Sequence, residues 1–321
     1  MKNNRICQML DIKYPIIEGG MAYVGNGSLA AAVSNGGGFG QIGSAGRTPG
    51  NFEEEILIAV NQTEFPFGVN LPISEHSDNT PYINIIEKHK EKIKAISISS
   101  GNPLPFIPIF REMGIITMIL TSTVKHAEKA EKAGGDIIIC EGYEAGGYNG
   151  GAELTTFALV PQITQKVNIP VIAAGGISNG EGMIAAMSLG ADGVQMGTRF
   201  VATTECVAHE NYKQLLIQSR DDDTTILTRS MGGVMRVIKS DYVTKIQETL
   251  QNDSTPETVL PYISGAINKK AAIEGDLLNG WVNAGQGVGL IKTIESAEQI
   301  VGNIINEANN AIEKLNLIKF A

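Results

Sequence analysis

Short apolar runs recur along the first two thirds of the chain, and glycine or a small polar residue follows each of them. The runs show little alternation of apolar and polar residues, which is typical of parallel strands buried on both faces. We therefore predict eight strands. They cover residues 14–18, 39–42, 67–70, 95–99, 115–120, 137–140, 171–174 and 193–196.

Helical patterns separate most of these strands, for example at residues 28–34, 123–132 and 180–189. Successive strand-then-helix units, about 20 to 35 residues apart, predict an α/β fold of the (β/α)8 TIM barrel type. An open, doubly wound sheet is the alternative. The barrel is favoured because the strand count reaches eight and the glycine-rich turns lie at the carboxyl ends of the strands.

The patterning divides the chain into three parts. Residues 1–204 are predicted to form the barrel, which carries the ligand site. Residues 205–279 contain helical stretches, an acidic run and few strand signals, so we predict a small, mainly helical inserted domain. Residues 280–321 contain a glycine loop and a helical pattern at 296–315, which would complete the outer ring of the barrel.

Composition and charge exclude several classes of partner and site. The 321 residues are 43% hydrophobic and 18% charged, which suits a large core. A formal net charge of -9 argues against nucleic-acid and membrane-surface partners. Cys7, Cys140 and Cys206 are widely spaced and odd in number, which argues against a disulfide framework or a zinc site. Since the start lacks a signal-peptide pattern and no apolar run approaches about 18 residues, we expect a cytoplasmic protein.

One glycine pattern resembles a dinucleotide site. The segment from Gly38 to Gly43 matches G-x-G-x-x-G. That fingerprint requires a strand before the glycines and a helix after them. Here a predicted helix precedes the glycines and they straddle the next strand, so we discount a Rossmann site at this position.

Two other glycine turns point to a phosphate group. Gly175 and Gly176 follow the seventh predicted strand, and Gly197 and Thr198 follow the eighth. Loops after these two barrel strands commonly bind phosphate through backbone N–H groups. Glycine would let the backbone approach the ligand, and Thr198 would add a hydroxyl. The alternative is that these glycines only relieve crowding at the barrel corners.

Further polar residues lie at predicted strand ends. The loop at 141–150 carries the carboxylate of Glu141 and the phenol of Tyr148, and it either wraps a ligand or is an ordinary acidic surface loop. Gly20 follows the first strand. Asn70 ends the third strand and offers both donors and an acceptor, although an isolated asparagine is more typical of a turn. No metal site is predicted, because the histidines lack ligand spacing and are interpreted as surface residues. They are His76, His89, His126 and His209.

Five segments carry a family resemblance. They are Tyr-Pro-Ile-Ile-Glu-Gly-Gly-Met-Ala at 14–22, Phe-Gly-Val-Asn at 67–70, Glu-Ala-Gly-Gly at 144–147, Ala-Ala-Gly-Gly-Ile at 173–177 and Gln-Met-Gly-Thr-Arg-Phe at 195–200. Together they resemble the FMN-dependent family of nitronate monooxygenases, once called 2-nitropropane dioxygenases, and flavin enoyl-acyl-carrier-protein reductases. The resemblance covers nearly the whole chain. Residues 208–213, 223–225 and 284–286 are most similar to the reductase branch.

The resemblance implies a barrel with a small inserted domain and a non-covalent FMN at the carboxyl ends of the strands. By position, Asn70 would lie near the flavin ring, and residues 195–198 would hold the phosphate. The family pattern and the glycine turns together give the candidate cofactor-binding residues. These are Gly20, Met21, Ala22, Asn70, Glu141, Gly146, Gly147, Gly175, Gly176, Gln195, Met196, Gly197 and Thr198.

One position departs from the family pattern. The family has histidine directly after Glu-Ala-Gly-Gly as its acid/base residue, whereas this chain has Tyr148. The reference pKa of tyrosine is about 10, so a phenol is a poor base for removing an α-proton from a neutral nitroalkane. A phenol can still donate a proton. Tyr148 is therefore the candidate catalytic residue, as the donor to the α-carbon of an enoyl thioester.

The expected function is that of an FMN-dependent oxidoreductase that uses NADH or NADPH to reduce an enoyl thioester. A nitronate monooxygenase that uses O2 is the first alternative, since oxidation of an anionic nitronate needs no base. A flavin-binding protein with little turnover is the second. The substrate would be a small molecule or an acyl-carrier-bound enoyl group, and a homodimer is compatible with the sequence.

An acyl carrier protein is acidic, so its docking on this acidic chain would need a local basic patch. Candidates for that patch are Arg229, Arg236, Lys239 and Lys245, with Asp241 among them. The alternative interpretation of the same residues is a solvated helix face of mixed charge.

Overall fold

The computed structural model of the protein describes residues 3–73, 78–229, 233–252 and 255–318. Each of the eight strands predicted from the apolar runs is present, with limits within two residues of those expected. In chain order the described strands are β1 (Ile16–Glu18), β2 (Gly40–Gly43), β3 (Phe67–Pro72), β4 (Ile93–Ser99), β5 (Ile116–Thr121), β6 (Ile137–Glu141), β7 (Gly147–Tyr148), β8 (Val171–Ala174), β9 (Gly193–Met196), β10 (Thr224–Ile226) and β11 (Met235–Ile238).

Eight of these strands form a parallel barrel. Around the barrel their order is β1-β9-β8-β6-β5-β4-β3-β2. Because β7 is not part of the barrel, β8 and β9 are its seventh and eighth strands in chain order. The barrel closes between β1 and β2, where Phe39 N donates to Ile16 O and Glu18 N donates to Phe39 O, each at 2.9 Å. The barrel prediction is therefore confirmed, and the open sheet is excluded.

Helices cover the outside of the barrel. Several begin at a residue whose side chain accepts a backbone N–H group from the first turn, as Thr48, Thr123 and Asn179 do. Within the described residues, no helix combines the length and apolar composition that a membrane crossing would require. The helices are α1 (Arg5–Leu10), α2 (Gly27–Asn35), α3 (Pro49–Gln62), α4 (Thr80–Lys88), α5 (Ile107–Glu112), α6 (Val124–Lys132), α7 (Thr156–Thr164), α8 (Gly180–Ser188), α9 (Thr198–Val201), α10 (Glu210–Gln218), α11 (Asp241–Asn252), α12 (Pro256–Ile263), α13 (Gly265–Ala272) and α14 (Ala297–Asn316).

Helix α14 occupies the eighth position of the outer ring. Its start is fixed by a capping box, in which Ser296 and Gln299 satisfy each other's backbone N–H groups. The helix lies against α8, where Gly180 N donates to Glu307 Oε2 at 2.8 Å, and it also packs against α2. The chain enters the small domain directly after β9, so the helix that completes the ring comes from the carboxyl-terminal tail.

The inside of the barrel is a packed apolar core. Ile17, Phe39 and Met118 are fully buried there. Ile6 and Leu10 of α1 belong to the same cluster and close the barrel at the amino ends of its strands. Among the residues that the structure describes, α1 therefore covers the amino ends of the strands, whereas the carboxyl ends are open to build a site.

A second apolar cluster lies outside the barrel, in the small domain. It contains Leu227, Met235 and Trp281. Strands β10 and β11 form a hairpin, and β11 also pairs with β7, which comes from the loop after β6. Since β10 has three residues and β11 four, neither produced a recognisable strand pattern in the sequence.

Candidate active site

A cavity of about 510 Å3 opens at the carboxyl ends of the barrel strands. Tyr148 lines it together with every cofactor-binding residue that the sequence predicts. Those residues are Gly20, Met21, Ala22, Asn70, Glu141, Gly146, Gly147, Gly175, Gly176, Gln195, Met196, Gly197 and Thr198. The structure therefore brings the whole predicted set into one place, while their individual contacts to a cofactor stay predictions.

One end of the cavity is built from the two glycine turns after β8 and β9. Gly175 and Gly176 have φ angles of 96° and 73°, in the left-handed region that glycine adopts without strain. Thr198 lies directly after the second turn, and its Oγ1 accepts a hydrogen bond from Gly285 N at 3.0 Å. The hydroxyl hydrogen of Thr198 stays free to donate, so this end can bind an anionic oxygen.

The glycine turn after β8 is held from behind by Thr156, the first residue of α7. The Thr156 hydroxyl donates to Gly175 O at 2.8 Å. Glu144 accepts the backbone N–H of Thr156 at 2.8 Å, so this carboxylate of the Glu-Ala-Gly-Gly motif caps a helix. Sequence reasoning missed Thr156, because nothing in the pattern relates it to a turn nineteen residues later.

Another wall of the cavity depends on a close contact between Gly20 and Asn70. A Cβ atom on Gly20 would lie 2.2 Å from Asn70 Cγ, so only glycine permits this arrangement. Asn70 Nδ2 donates to Ser97 Oγ at 2.9 Å. The side-chain oxygen of Asn70, Oδ1, is thereby left as an acceptor for a ligand N–H group.

Glu141 adds a half-buried side chain with a carboxyl group at the end of β6. It borders the cavity but is surrounded by protein, and this burial raises its pKa to about 8. Glu141 is therefore neutral near pH 7, and a neutral carboxyl group can donate a hydrogen bond as well as accept one. No arginine or lysine lines the cavity in the part of the chain that the structure describes.

Tyr148 is held at the cavity by the small domain. It lies on β7 opposite Met235 of β11, and the next residue, Asn149, donates its backbone N–H to Val234 O at 2.7 Å. The phenol is 66% exposed. The surrounding protein removes part of its hydration, which raises the pKa of Tyr148 above 10. A higher pKa keeps the phenol protonated near neutral pH, so little phenolate is present to act as a base.

His126 also lines the cavity, although the sequence indicated an ordinary surface histidine. It lies in the first turn of α6, and its side chain is exposed. The other histidines differ: His89 pairs with Glu53, His209 caps α10, and His76 lies outside the described residues. The position of His126 after the fifth strand was the signal that sequence reasoning did not use.

Only some of the residues in the predicted basic patch are exposed. Arg236 is 3% exposed and donates to Tyr143 O at 3.1 Å, so its inclusion in a docking surface is wrong. Arg229 is exposed but is paired with Glu153 at 2.7 Å. Lys239 and Lys245 are exposed. The residues that can still meet an acidic partner are therefore Arg229, Lys239 and Lys245.

Comparison with known proteins assigns the chain to a family. The family model described as nitronate monooxygenase matches residues 3–307. A probable nitronate monooxygenase of Staphylococcus saprophyticus is 32% identical, in an alignment that covers 97% of this chain and 99% of the relative. The chain belongs to the nitronate monooxygenase family. It is accordingly an oxidoreductase, as the sequence motifs indicated.

Solved structures agree with this assignment within the nitronate monooxygenase family. FabK from Thermotoga maritima is 38% identical with a TM-score of 0.92, and the match covers 98% of each chain. A nitroalkane oxidase from Streptomyces ansochromogenes is 24% identical with a TM-score of 0.83, covering 97% of this chain and 99% of that one. The second similarity shows the shared fold alone.

The cavity walls fit the FMN that the family resemblance implies. Thr121 Oγ1, Asn149 Oδ1 and Asn283 Oδ1 are buried and have no hydrogen-bond partner among the described residues. All three residues line the cavity. Buried polar atoms are normally paired, so a polar ligand is expected to complete them. Together with the glycine turns, these atoms make the cavity suitable for a flavin mononucleotide.

Proposed function

We propose that the protein is an FMN-dependent reductase of enoyl thioesters with NADH or NADPH as the electron donor. The observation that carries this proposal is the position of Tyr148, an exposed phenol that lines the cavity. It lies where the family has its acid/base histidine. The similarity to FabK, at 38% identity over 98% of both chains, supports the enoyl reductase branch of the family.

FMN, when bound, would supply the redox chemistry by accepting a hydride from NAD(P)H and passing one to the β-carbon of the enoyl thioester. The glycine turns and the Thr198 hydroxyl would bind the phosphate. Asn70 and the neutral carboxyl of Glu141 offer hydrogen-bonding groups at other walls of the cavity.

Tyr148 would donate its phenolic proton to the α-carbon of the substrate. The C2=C3 bond of the enoyl group then becomes a single bond, with the hydride at the β-carbon and the proton at the α-carbon. Since Tyr148 is 66% exposed, water can return a proton to the phenolate after each turnover. A positioned acid of this kind contributes about 10²–10⁴-fold to the rate.

Oxidation of a nitronate by O2 is the second candidate, favoured by the family match over residues 3–307. An anionic nitronate needs no base, so Tyr148 does not oppose this reaction. The absence of arginine and lysine from the described cavity lining leaves that anion without a counter-charge. A neutral enoyl thioester does not have this requirement.

Docking of an acyl carrier protein is part of the proposal, through Arg229, Lys239 and Lys245. If a free thioester and its carrier-bound form are reduced equally well, the carrier contributes nothing to recognition. A decrease in activity on the carrier-bound form alone, in a variant with these three residues changed to glutamine, would support the docking surface.

The deciding experiment uses the FMN-loaded protein under anaerobic conditions. NADH or NADPH should bleach the flavin absorbance, and an enoyl thioester should restore it in a single turnover. Tyr148→Phe should slow only the second step, by about 10²-fold or more. In a separate aerobic assay, nitronate-driven oxygen uptake without NAD(P)H consumption would support the monooxygenase instead. A reduced flavin that the enoyl thioester does not reoxidise, together with no oxygen uptake on addition of a nitronate, would identify a binding protein with little turnover.

A further inference from the structure

Three polar side chains lie in the barrel directly beneath the cavity, on strands that neighbour one another. Glu18 ends β1, Gln41 lies on β2 and Gln195 lies on β9. Glu18 and Gln41 are 0% exposed, and Gln195 is 8% exposed. Among the three, only Gln195 lines the cavity.

The hydrogen bonds of Gln41 fix the direction of its side-chain amide. Gln41 Nε2 donates to the backbone carbonyl of Glu18 at 2.6 Å. A carbonyl oxygen can only accept, so Nε2 and not Oε1 must face this side. The same nitrogen donates to Gln195 Oε1 at 3.3 Å.

The direction of the Gln195 amide follows from that of Gln41. If the Gln195 amide were reversed, its own NH2 group would face the NH2 group of Gln41, and neither could accept. Gln195 Oε1 is therefore held toward Gln41, and Gln195 Nε2 is the end left for the cavity. Within the described residues this nitrogen has no protein partner.

Glu18 supports this arrangement through a hydrogen bond with the backbone of Gln41. Its Oε2 accepts the backbone N–H of Gln41 at 3.1 Å, and burial raises the pKa of Glu18 well above its usual range. Glu18 Oε1 and Gln41 Oε1 are both buried without a partner among the described residues.

We propose that Gln41 is a positioning residue that holds Gln195 with its side-chain NH2 group toward the cavity, as a donor to the flavin ring of bound FMN. The phosphate would then be held by the glycine turns and Thr198, and not by the Gln195 side chain. This inference rests on the proposed binding of FMN. A flavin gains negative charge on reduction, so a fixed donor stabilises the reduced form more than the oxidised form. Gln41, which does not line the cavity, would thereby raise the reduction potential of the cofactor.

The test is a double-mutant cycle on the FMN-loaded protein, with the reduction potential as the readout. Gln41→Met keeps the length of the side chain and removes its hydrogen bonds. We expect it to weaken the preference for reduced over oxidised FMN by about tenfold, which corresponds to about 30 mV for a two-electron couple. Gln195→Met should have at least the same effect. Gln41→Met added to Gln195→Met should then change the potential no further.

Two results of the cycle would overturn the inference. One is a potential that does not move in Gln41→Met, and the other is an equal shift in the presence and absence of Gln195. If FMN binds and NAD(P)H reduces it, either result leaves the proposed function intact. A wild-type protein that binds no FMN would instead end both proposals.

A second measurement covers the case in which Gln41→Met does not fold. In the 15N-labelled wild-type protein, the side-chain NH2 signals of Gln41 should exchange slowly with solvent, because they are buried and bonded. Those of Gln195, assigned by comparison with Gln195→Met, should shift when FMN is added. Fast exchange at Gln41 or an unmoved Gln195 signal would contradict the proposed arrangement.

Discussion

The backbone N–H of Gly285 donates to the Thr198 hydroxyl oxygen at 3.0 Å, across 87 residues of sequence. This bond joins the turn after the last barrel strand to the glycine loop that follows the small domain. It occupies an acceptor site of Thr198 and leaves the hydroxyl hydrogen to donate into the cavity. The small domain and the proposed phosphate site are therefore physically connected.

Thr198→Val tests the phosphate site. The variant loses the donor to the phosphate and the acceptor for Gly285, so we expect FMN affinity to fall by about 10- to 100-fold, as for a hydrogen bond to a charged group. Thr198→Ser keeps the hydroxyl and should bind FMN nearly as the wild type does. Equal dissociation constants for the wild type and Thr198→Val, measured by flavin fluorescence, would place the phosphate elsewhere.

Gly176→Ala tests the backbone conformation of the same site. The φ angle of 73° disfavours any side chain, and the added Cβ would lie 3.1 Å from Glu144 Cβ. Left-handed backbone costs an alanine about 1–2 kcal/mol, so the turn should shift and FMN should bind about tenfold more weakly. Gly151→Ala is the matched control, since no atom lies within 4 Å of its Cβ position. Similar losses in both variants would show that the effect is not local.

Glu141→Gln should change how stability depends on pH. Burial raises the pKa of Glu141 to about 8 from 4.5. Because its folded pKa lies above its unfolded value, the stabilisation from this group is complete below pH 4.5 and is lost as pH rises to about 8. The melting temperature of the wild-type apoprotein should therefore fall relative to that of Glu141→Gln over this range. We expect this relative fall in melting temperature to be several degrees, because each kcal/mol of unfolding free energy corresponds to about 2–4 °C.

The control for this pH experiment is Glu181→Gln, which removes an exposed carboxyl group from the first turn of α8. Its melting temperature should run parallel to that of the wild type across the same pH range. A constant difference between the wild type and Glu141→Gln at every pH would show that Glu141 does not titrate with a raised pKa.

His126→Ala tests whether the imidazole of His126, and not the phenol of Tyr148, supplies the proton. If Tyr148 is the donor, the rate at which an enoyl thioester reoxidises the flavin in a single turnover should stay within about threefold of wild type when the imidazole is removed. The loss of a general acid would instead slow this step by about 10²–10⁴-fold. Stopped-flow absorbance at the flavin band measures this step. A decrease of about 10²-fold in His126→Ala, with Tyr148→Phe unaffected, would assign proton transfer to His126.

Local sequence was sufficient for the barrel and for much of the cavity lining. Parallel strands in a closed barrel are buried on both faces, so each leaves a short apolar run that can be recognised without knowledge of its neighbours. All these strands point the same way, so residues at their carboxyl ends must meet. That geometric rule is why Gly176, Asn70 and Thr198 could be placed together from their positions in the chain.

Long-range contacts decided the rest. The pairing of Tyr148 with Met235 and the burial of Arg236 depend on how distant segments pack. The orientation of Gln195 depends on a hydrogen bond from Gln41, 154 residues earlier. None of these contacts leaves a periodic pattern or a change of composition in the nearby sequence, because the partner of a side chain is set by the assembled fold. The sequence by itself determined the barrel and much of the cavity lining, and only the tertiary structure decided which atoms those residues present there.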